Sequence, residues 1–269
     1  MNRFMFLILA TLLSQTIHAN GLSMSVGAMH QTTSSSASVG VPALGLKLSI
    51  DGEEDLNLAE KNVSPYVMFE YRFKDRHSVL VDWRTLHRSV RKSYTSTPTD
   101  IFGSQVLVGA TLDLSLDIDI ARVGYTYRFL SNDKVDLDVM AGLHLMSIKS
   151  AGGITAEIEG DGEKWYNYNK KEKKRSLAPL PNVGIRGAYK ITPNWALTSH
   201  LQTFLISTRL FDGYIIDSSL GVQYQIMDSL HVNAQYSHYE VTAAYGDSLF
   251  DAEISMKFSG PMLSLKYDF

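Results

Sequence analysis

Cysteine is absent from all 269 residues. That removes disulfides, a thiol nucleophile, a thiolate metal site and a lipidated N-terminal Cys from consideration. Charge of one sign is also lacking: 25 Lys+Arg stand against 28 Asp+Glu, a formal net charge of −3. Such a balance gives no general pull toward nucleic acid. Long hydrophobic runs are missing too. The one apolar stretch near the start, Phe4 to Leu13, falls well short of the ~20 residues a membrane-spanning helix needs. With Arg3 before it and Ile17-His18-Ala19 after it, the stretch reads as a cleavable signal peptide over residues 1–19. The mature chain is then expected to be 20–269, long enough for one large all-β domain.

What the chain does have is alternation of apolar and polar residues, the period of a strand with two unlike faces. Val67, Phe69, Tyr71 and Phe73 oppose Met68, Glu70 and Arg72. Val79, Val81 and Trp83 oppose Asp82 and Arg84, and Val135 to Leu145 in steps of two oppose Asp136, Asp138 and His144. The same pattern runs through 182–190, 195–206, 214–225 and 229–239. Two segments change parity. In 110–130 the apolar set passes from Leu112, Leu114, Leu116, Ile118 and Ile120 to Val123, Tyr125, Tyr127 and Phe129. In 250–269 it passes from Ala252, Ile254, Met256 and Phe258 to Leu263, Leu265, Tyr267 and Phe269. Either a β-bulge near Ile120–Arg122 and another at Gly260–Pro261 restores the faces, or the far half of each strand stands clear of lipid and obeys no lipid constraint.

Connections alternate between short (Lys74–His77, Ser131–Lys134, Lys190–Asn194, Ile226–Ser229) and long, with long loops expected near 31–62, 89–108 and 150–178. The Ser/Thr tract Thr32–Ser38 reads as flexible loop. Short turns at one end and long loops at the other predict an all-β, antiparallel, up-and-down transmembrane β-barrel of about ten strands, within a range of eight to twelve, with the short turns periplasmic. Aromatics decide against a soluble sandwich. Phe73, Tyr127, Phe129, Tyr189, Trp195, Tyr224, Tyr267 and Phe269 lie on the apolar face near the short turns, as one interfacial girdle would. Tyr66, Trp83 and Tyr236 are expected at the opposite rim.

Leu263-x-Leu265-x-Tyr267-x-Phe269 resembles the C-terminal assembly signal of bacterial outer-membrane barrels. A looser likeness is carried by Asp75-Arg76-His77-Ser78, by Leu116-Asp117-Ile118-Asp119-Ile120-Ala121-Arg122-Val123-Gly124-Tyr125, by Ala178-Pro179-Leu180-Pro181-x-x-Gly184-Ile185-Arg186 and by Ser259-Gly260-Pro261. Together these resemble poorly characterised proteobacterial outer-membrane β-barrel proteins of the OmpA/porin-like barrel group. The resemblance spans most of the mature chain. It implies the fold, an outer-membrane location and contact with the barrel-assembly machinery during biogenesis, and it brings no catalytic residues.

If the apolar face meets lipid, the polar face lines the lumen. The expected lumen charge network is Glu70, Arg72, Asp82, Arg84, Arg122, Arg128, Asp136, Asp138, Arg186, Asp217 and Lys266. In so narrow a barrel opposite charges pair and fill the interior; a narrow conduit for small solutes is the alternative. The acidic run Asp51–Asp55 is expected as solvated loop. The basic run Lys170, Lys171, Lys173, Lys174 and Arg175 reads as solvated surface or as a contact for lipopolysaccharide phosphates. Ser237-His238, His200 and His144 are the side chains a hydrolase would use, and Asp117-x-Asp119 invites comparison with paired carboxylates; neither shows a complete catalytic pattern. Scattered histidines predict no metal site, and no cofactor is expected. The expected function is a non-enzymatic outer-membrane barrel with a structural or surface-contact role. A barrel enzyme acting on lipid or peptide is the alternative, and the sequence leaves oligomeric state open.

Overall fold

The computed structural model describes residues 21–41, 46–94, 99–101, 104–106, 110–160, 164–209, 211–246 and 251–269. Side chains are described within these except at 41, 46, 91–114, 116, 148, 150–178 and 211. The expected signal peptide lies outside the described residues, as do the basic-run side chains of Lys170, Lys171, Lys173, Lys174 and Arg175.

The ten long strands pair in chain order, with three short ones lying outside that succession. The strands are β1 (Leu22–Val41), β2 (Leu46–Asp51), β3 (Lys61–Lys74), β4 (His77–Tyr94), β5 (Thr99–Ile101), β6 (Ser104–Val106), β7 (Ala110–Ser131), β8 (Val135–Gly160), β9 (Lys164–Lys190), β10 (Trp195–Ser207), β11 (Phe211–Met227), β12 (Leu230–Gly246) and β13 (Asp251–Asp268). All main-sheet pairings are antiparallel, and β13 returns to β1 from Ser23↔Asp268 to Gly40↔Asp251, closing an up-and-down barrel of ten strands. Closure removes the free edges along the turn-end part of the barrel. β2 continues the wall beside β1 where β3 has ended, and β5 with β6 forms a separate small hairpin.

Short turns at one end are fixed by side chains. Asn132 Oδ1 accepts the backbone N–H of Lys134 at 2.9 Å and of Val135 at 2.8 Å, and Thr192 Oγ1 accepts that of Trp195 at 3.1 Å. Both residue types favour such self-capped turns. Register shifts occur next to these turns, at Arg72/Lys74, Arg128/Leu130 and Gln225/Met227. The small radius shows at inward glycines: a Cβ on Gly142 would lie 2.3 Å from the Val123 carbonyl oxygen and 2.8 Å from Gly124 Cα.

The parity changes have one explanation. Pairing of β4 with β7 runs unbroken through Ile120–Arg122, and that of β12 with β13 through Gly260–Pro261, so no bulge exists at either place. The faces stay put and their chemistry inverts with height. Near the turns, Val79, Val81, Trp83, Val123, Tyr125, Val139 and Leu143 point outward and are exposed, while Ser78, Asp82, Arg122, Thr126 and Asp138 point inward and are buried. Further from the turns, Leu86, Ile118, Ile120, Met146, Ile215, Tyr239, Met256 and Phe258 point inward and form one buried cluster. There the outer wall carries Asp117, Asp119, Lys149, Glu240 and Lys257.

Three expectations are corrected. The segments read as long loops are largely strand: β1 continues through Thr32–Ser38 to Val41, β4 reaches Tyr94, and β8 and β9 approach one another to within residues 161–163. Ladder hydrogen bonds hold this backbone, and a wall without an apolar outer stripe carries no alternation to mark it in the sequence. Tyr66 does not join the rim; it points inward, 9% exposed, with its OH 3.3 Å from Met68 Sδ. Glu53, from the acidic run, is drawn in: it accepts hydrogen bonds from the Ser35 N–H at 2.8 Å and Oγ–H at 3.0 Å and pairs with the buried Arg88.

Ile118 is fully buried. Ile118→Ala should therefore lower unfolding free energy by ~2–5 kcal/mol in a denaturant titration of the detergent-solubilised barrel. Val123→Ala, on the outer wall, should change it far less; equal effects would contradict the inward placement of Ile118.

Candidate functional site: the layered lumen

Alternate residues of β3, β4, β7, β8, β9 and β11 put acids and bases on the inner face. The lumen fills in layers. Nearest the turns, Lys266 Nζ meets Asp268 at 2.9 Å and Arg72 lines the mouth. One layer up, Arg186 donates to Glu70 (2.9 and 2.8 Å) and to Asp138 (2.7 Å). Ser78 Oγ–H completes Glu70 at 2.7 Å, and Arg128 Nε completes Asp138 at 2.9 Å. Asp136 lies 3.8 Å from Arg128 and 3.7 Å from Lys190.

At mid-height Arg122 is the hub. It pairs with Asp82, lies 3.3 Å from Asp217, and donates to Gln202 and, at 3.0 Å, to His200 Nε2. Arg84 donates to Asp217 at 2.9 Å and sits 5.7 Å from the Tyr239 ring centroid, within cation–π range. His144 is held by Asn182, 3.0 Å from Nδ1, and turns Nε2 to Asp217 at 3.6 Å.

Above this layer come Tyr239, stacked on Phe258 at 5.2 Å, and the rest of the apolar cluster. Higher still lies the Arg88–Glu53 pair, with Arg88 Nη1 donating to Ser35 Oγ at 2.9 Å. A cavity of about 420 Å³ opens at the turn end and is roofed by Arg84, Arg122 and Asp217.

All eleven charges expected in the lumen face it, and ten of them are joined in three clusters. The sequence reading missed Gln202, Asn182, Tyr239 and the Glu53–Arg88 pair. Gln202 and Asn182 share the inward parity of His200 and Arg186, so parity alone could have included them. His200 and His144 are tied into the Arg122–Asp217 cluster. Ser237 faces inward, 3% exposed, while His238 faces outward, so the Ser237-His238 dipeptide is split between the two faces. Asp117 and Asp119 share the outer face, with Asp117 bonded to His87 and Asp119 accepting from Thr85 Oγ1 and Lys149 Nζ, both at 2.9 Å. Leu263, Leu265, Tyr267 and Phe269 line the outer wall near the seam, the last two rings 4.9 Å apart. Among the described residues, no group of three metal-binding side chains converges.

Arg122 and Asp82 are both almost fully buried. Removing one partner of such a pair strands a charge and costs ~3–5 kcal/mol, whereas replacing both by apolar groups is close to neutral. Arg122→Met should lose that amount in chemical denaturation, and adding Asp82→Leu should recover most of it, because Asp217 keeps Arg84. Strictly additive losses would contradict the pairing.

A known structure shares this architecture. The outer-membrane protease OmpT from Escherichia coli superposes with a TM-score of 0.58 over 95% of this chain and 99% of that one, at 10% identity, a likeness of fold alone. The translocator domain of the autotransporter NalP from Neisseria meningitidis gives 0.46 over 99% of this chain and 95% of that one, at 12% identity. No curated protein matches the sequence. A family model does: residues 77–259 match the one described as "protein of unknown function, DUF481", and the chain belongs to that family.

Proposed function

We propose that this protein is an occluded outer-membrane barrel, with its short turns in the periplasm and its long-strand end projecting from the cell as a rigid surface-contact structure. The observation that carries the reading is the inversion of the two faces at one height. Below it, the outward side chains are mainly apolar or aromatic, Ser199 and His77 being polar exceptions, with Phe73, Phe129, Tyr189, Trp195, Tyr224 and Tyr267 gathered near the turns. An aromatic belt bordering an apolar band is what a bilayer interface selects. Above it the wall is charged and the core lies inside, the arrangement water demands. OmpT's own name places that protein in the outer membrane, which agrees with this reading.

The lumen favours a plug over a conduit. A permeant solute entering the turn-end cavity would have to part Arg84 and Arg122 from Asp217 and then cross a layer of Ile118, Ile215, Tyr239 and Phe258. Barrels of about this strand number are filled by side chains.

In planar bilayers the purified barrel should show no discrete conductance steps; regular unitary openings would contradict occlusion. Leu143, mid-band on the outer wall, supplies a second check: Leu143→Arg should cost ~2–4 kcal/mol or block insertion, and a much smaller change would contradict the membrane placement.

A further inference from the structure

A hydroxyl, an imidazole and a carboxylate come together on the outer wall. His238 and Glu240, two residues apart on β12, share the outward face, and Ser259 is the cross-strand partner of His238 on β13. His238 Nδ1 is 2.7 Å from Ser259 Oγ, and its Nε2 is 3.5 Å from Glu240 Oε2. Glu240 is in turn fixed by the Tyr214 OH at 2.6 Å and by Lys257 Nζ at 3.1 Å. A hydroxyl on a histidine that a carboxylate orients is the geometry of an activated serine nucleophile, recognised by roles and distances whatever the order in the chain.

Height gives the substrate. Leu220, Tyr236 and Pro261 are cross-strand partners on the outward face, the first two about 60% exposed. The next outward row is Ser218, His238 and Ser259, joined as cross-strand partners. An acyl chain lying against the apolar band would bring its ester carbonyl to this row, with Tyr236 at interfacial depth below it. Lys257, two residues from Ser259 on the same face, offers a cation to a developing oxyanion.

We propose that Ser259, His238 and Glu240 form an esterase site for long-chain acyl esters of membrane lipids, a reading that rests on the membrane placement above. Ser259 Oγ attacks the ester carbonyl carbon as its proton passes to His238 Nδ1. The tetrahedral adduct collapses, the bond to the alcohol oxygen breaks, and His238 returns the proton to that alcohol. Water, deprotonated by His238, then attacks the acyl-Ser259 ester; the bond to Ser259 Oγ breaks as His238 returns that proton to it, and the fatty acid is released. Glu240 holds the ring and balances the imidazolium.

The full barrel in detergent, folded by the criterion of heat-modifiable migration, should be labelled on Ser259 by a long-chain fluorophosphonate and should hydrolyse p-nitrophenyl palmitate. Ser259→Ala and His238→Ala should each reduce hydrolysis at least ~100-fold. Ser237→Ala, the inward neighbour, should leave it unchanged. Vesicles of phosphatidylethanolamine and vesicles of lipopolysaccharide then separate a glycerol ester from an acylated sugar as the source. Absence of labelling and turnover in the folded wild type, or turnover that survives Ser259→Ala, would overturn the site. Because labelling is read in detergent, failure of the barrel to enter bilayers would count against the membrane placement and leave the serine chemistry separately decided.

Discussion

A closed sheet has two faces, and at each height water is excluded from one of them. Everything else in this molecule follows from which face that is. Near the short turns the outer face is apolar, so polar groups face inward, where they line a narrow cavity and meet one another at close range. They must pair, and Arg186 with Glu70 and Asp138, and Arg122 with Asp82 and Asp217, are the result. Further along the same strands the outer face meets water, the apolar side chains move inside, and Ile118, Tyr239 and Phe258 stack into an ordinary core. The β4–β7 and β12–β13 ladders run unbroken through the change, which is therefore one of chemistry and not of register.

The two halves stabilise each other. A buried ion pair is at best marginal against an apolar filling, because desolvation offsets most of the attraction. Positioned between an apolar band outside and an apolar cluster above, the Arg122 layer instead fixes which strands sit opposite which: Asp82 comes from β4, Asp217 from β11, Gln202 and His200 from β10. Only the closed barrel brings these elements together. The outer wall repeats the logic with exposed groups, His87 with Asp117 on one side and His238 with Ser259 and Glu240 on the other.

Much of the lower half was legible in the sequence. Val79, Val81 and Trp83 announce their face because they alternate with the polar Asp82 and Arg84, and the short turns follow from Asn132 and Thr192. The upper half was not. Thr32–Ser38 reads as loop because a strand wetted on its outer side needs no apolar stripe, and Glu53 reads as solvated because its partner Arg88 is thirty-five residues away. Tyr66 shares the inward parity of Met68 and Glu70 and so lies inside, whatever its height on the strand. The Ser259–His238 contact spans twenty-one residues and two strands; local spacing pointed to Ser237, which the strand's alternation turns to the other face.

The central claim is that the medium outside the wall changes along one strand. The absence of native cysteine makes this directly measurable by single-Cys spin labels on β7, comparing collision with oxygen, which partitions into lipid, and with a polar nickel chelate. The account predicts oxygen-dominated collision at 123 and 125, nickel-dominated collision at 117 and 119, and little of either at 118 and 120. Nickel access equal at 117 and 125, or lipid-like access at 118 and 120, would contradict it.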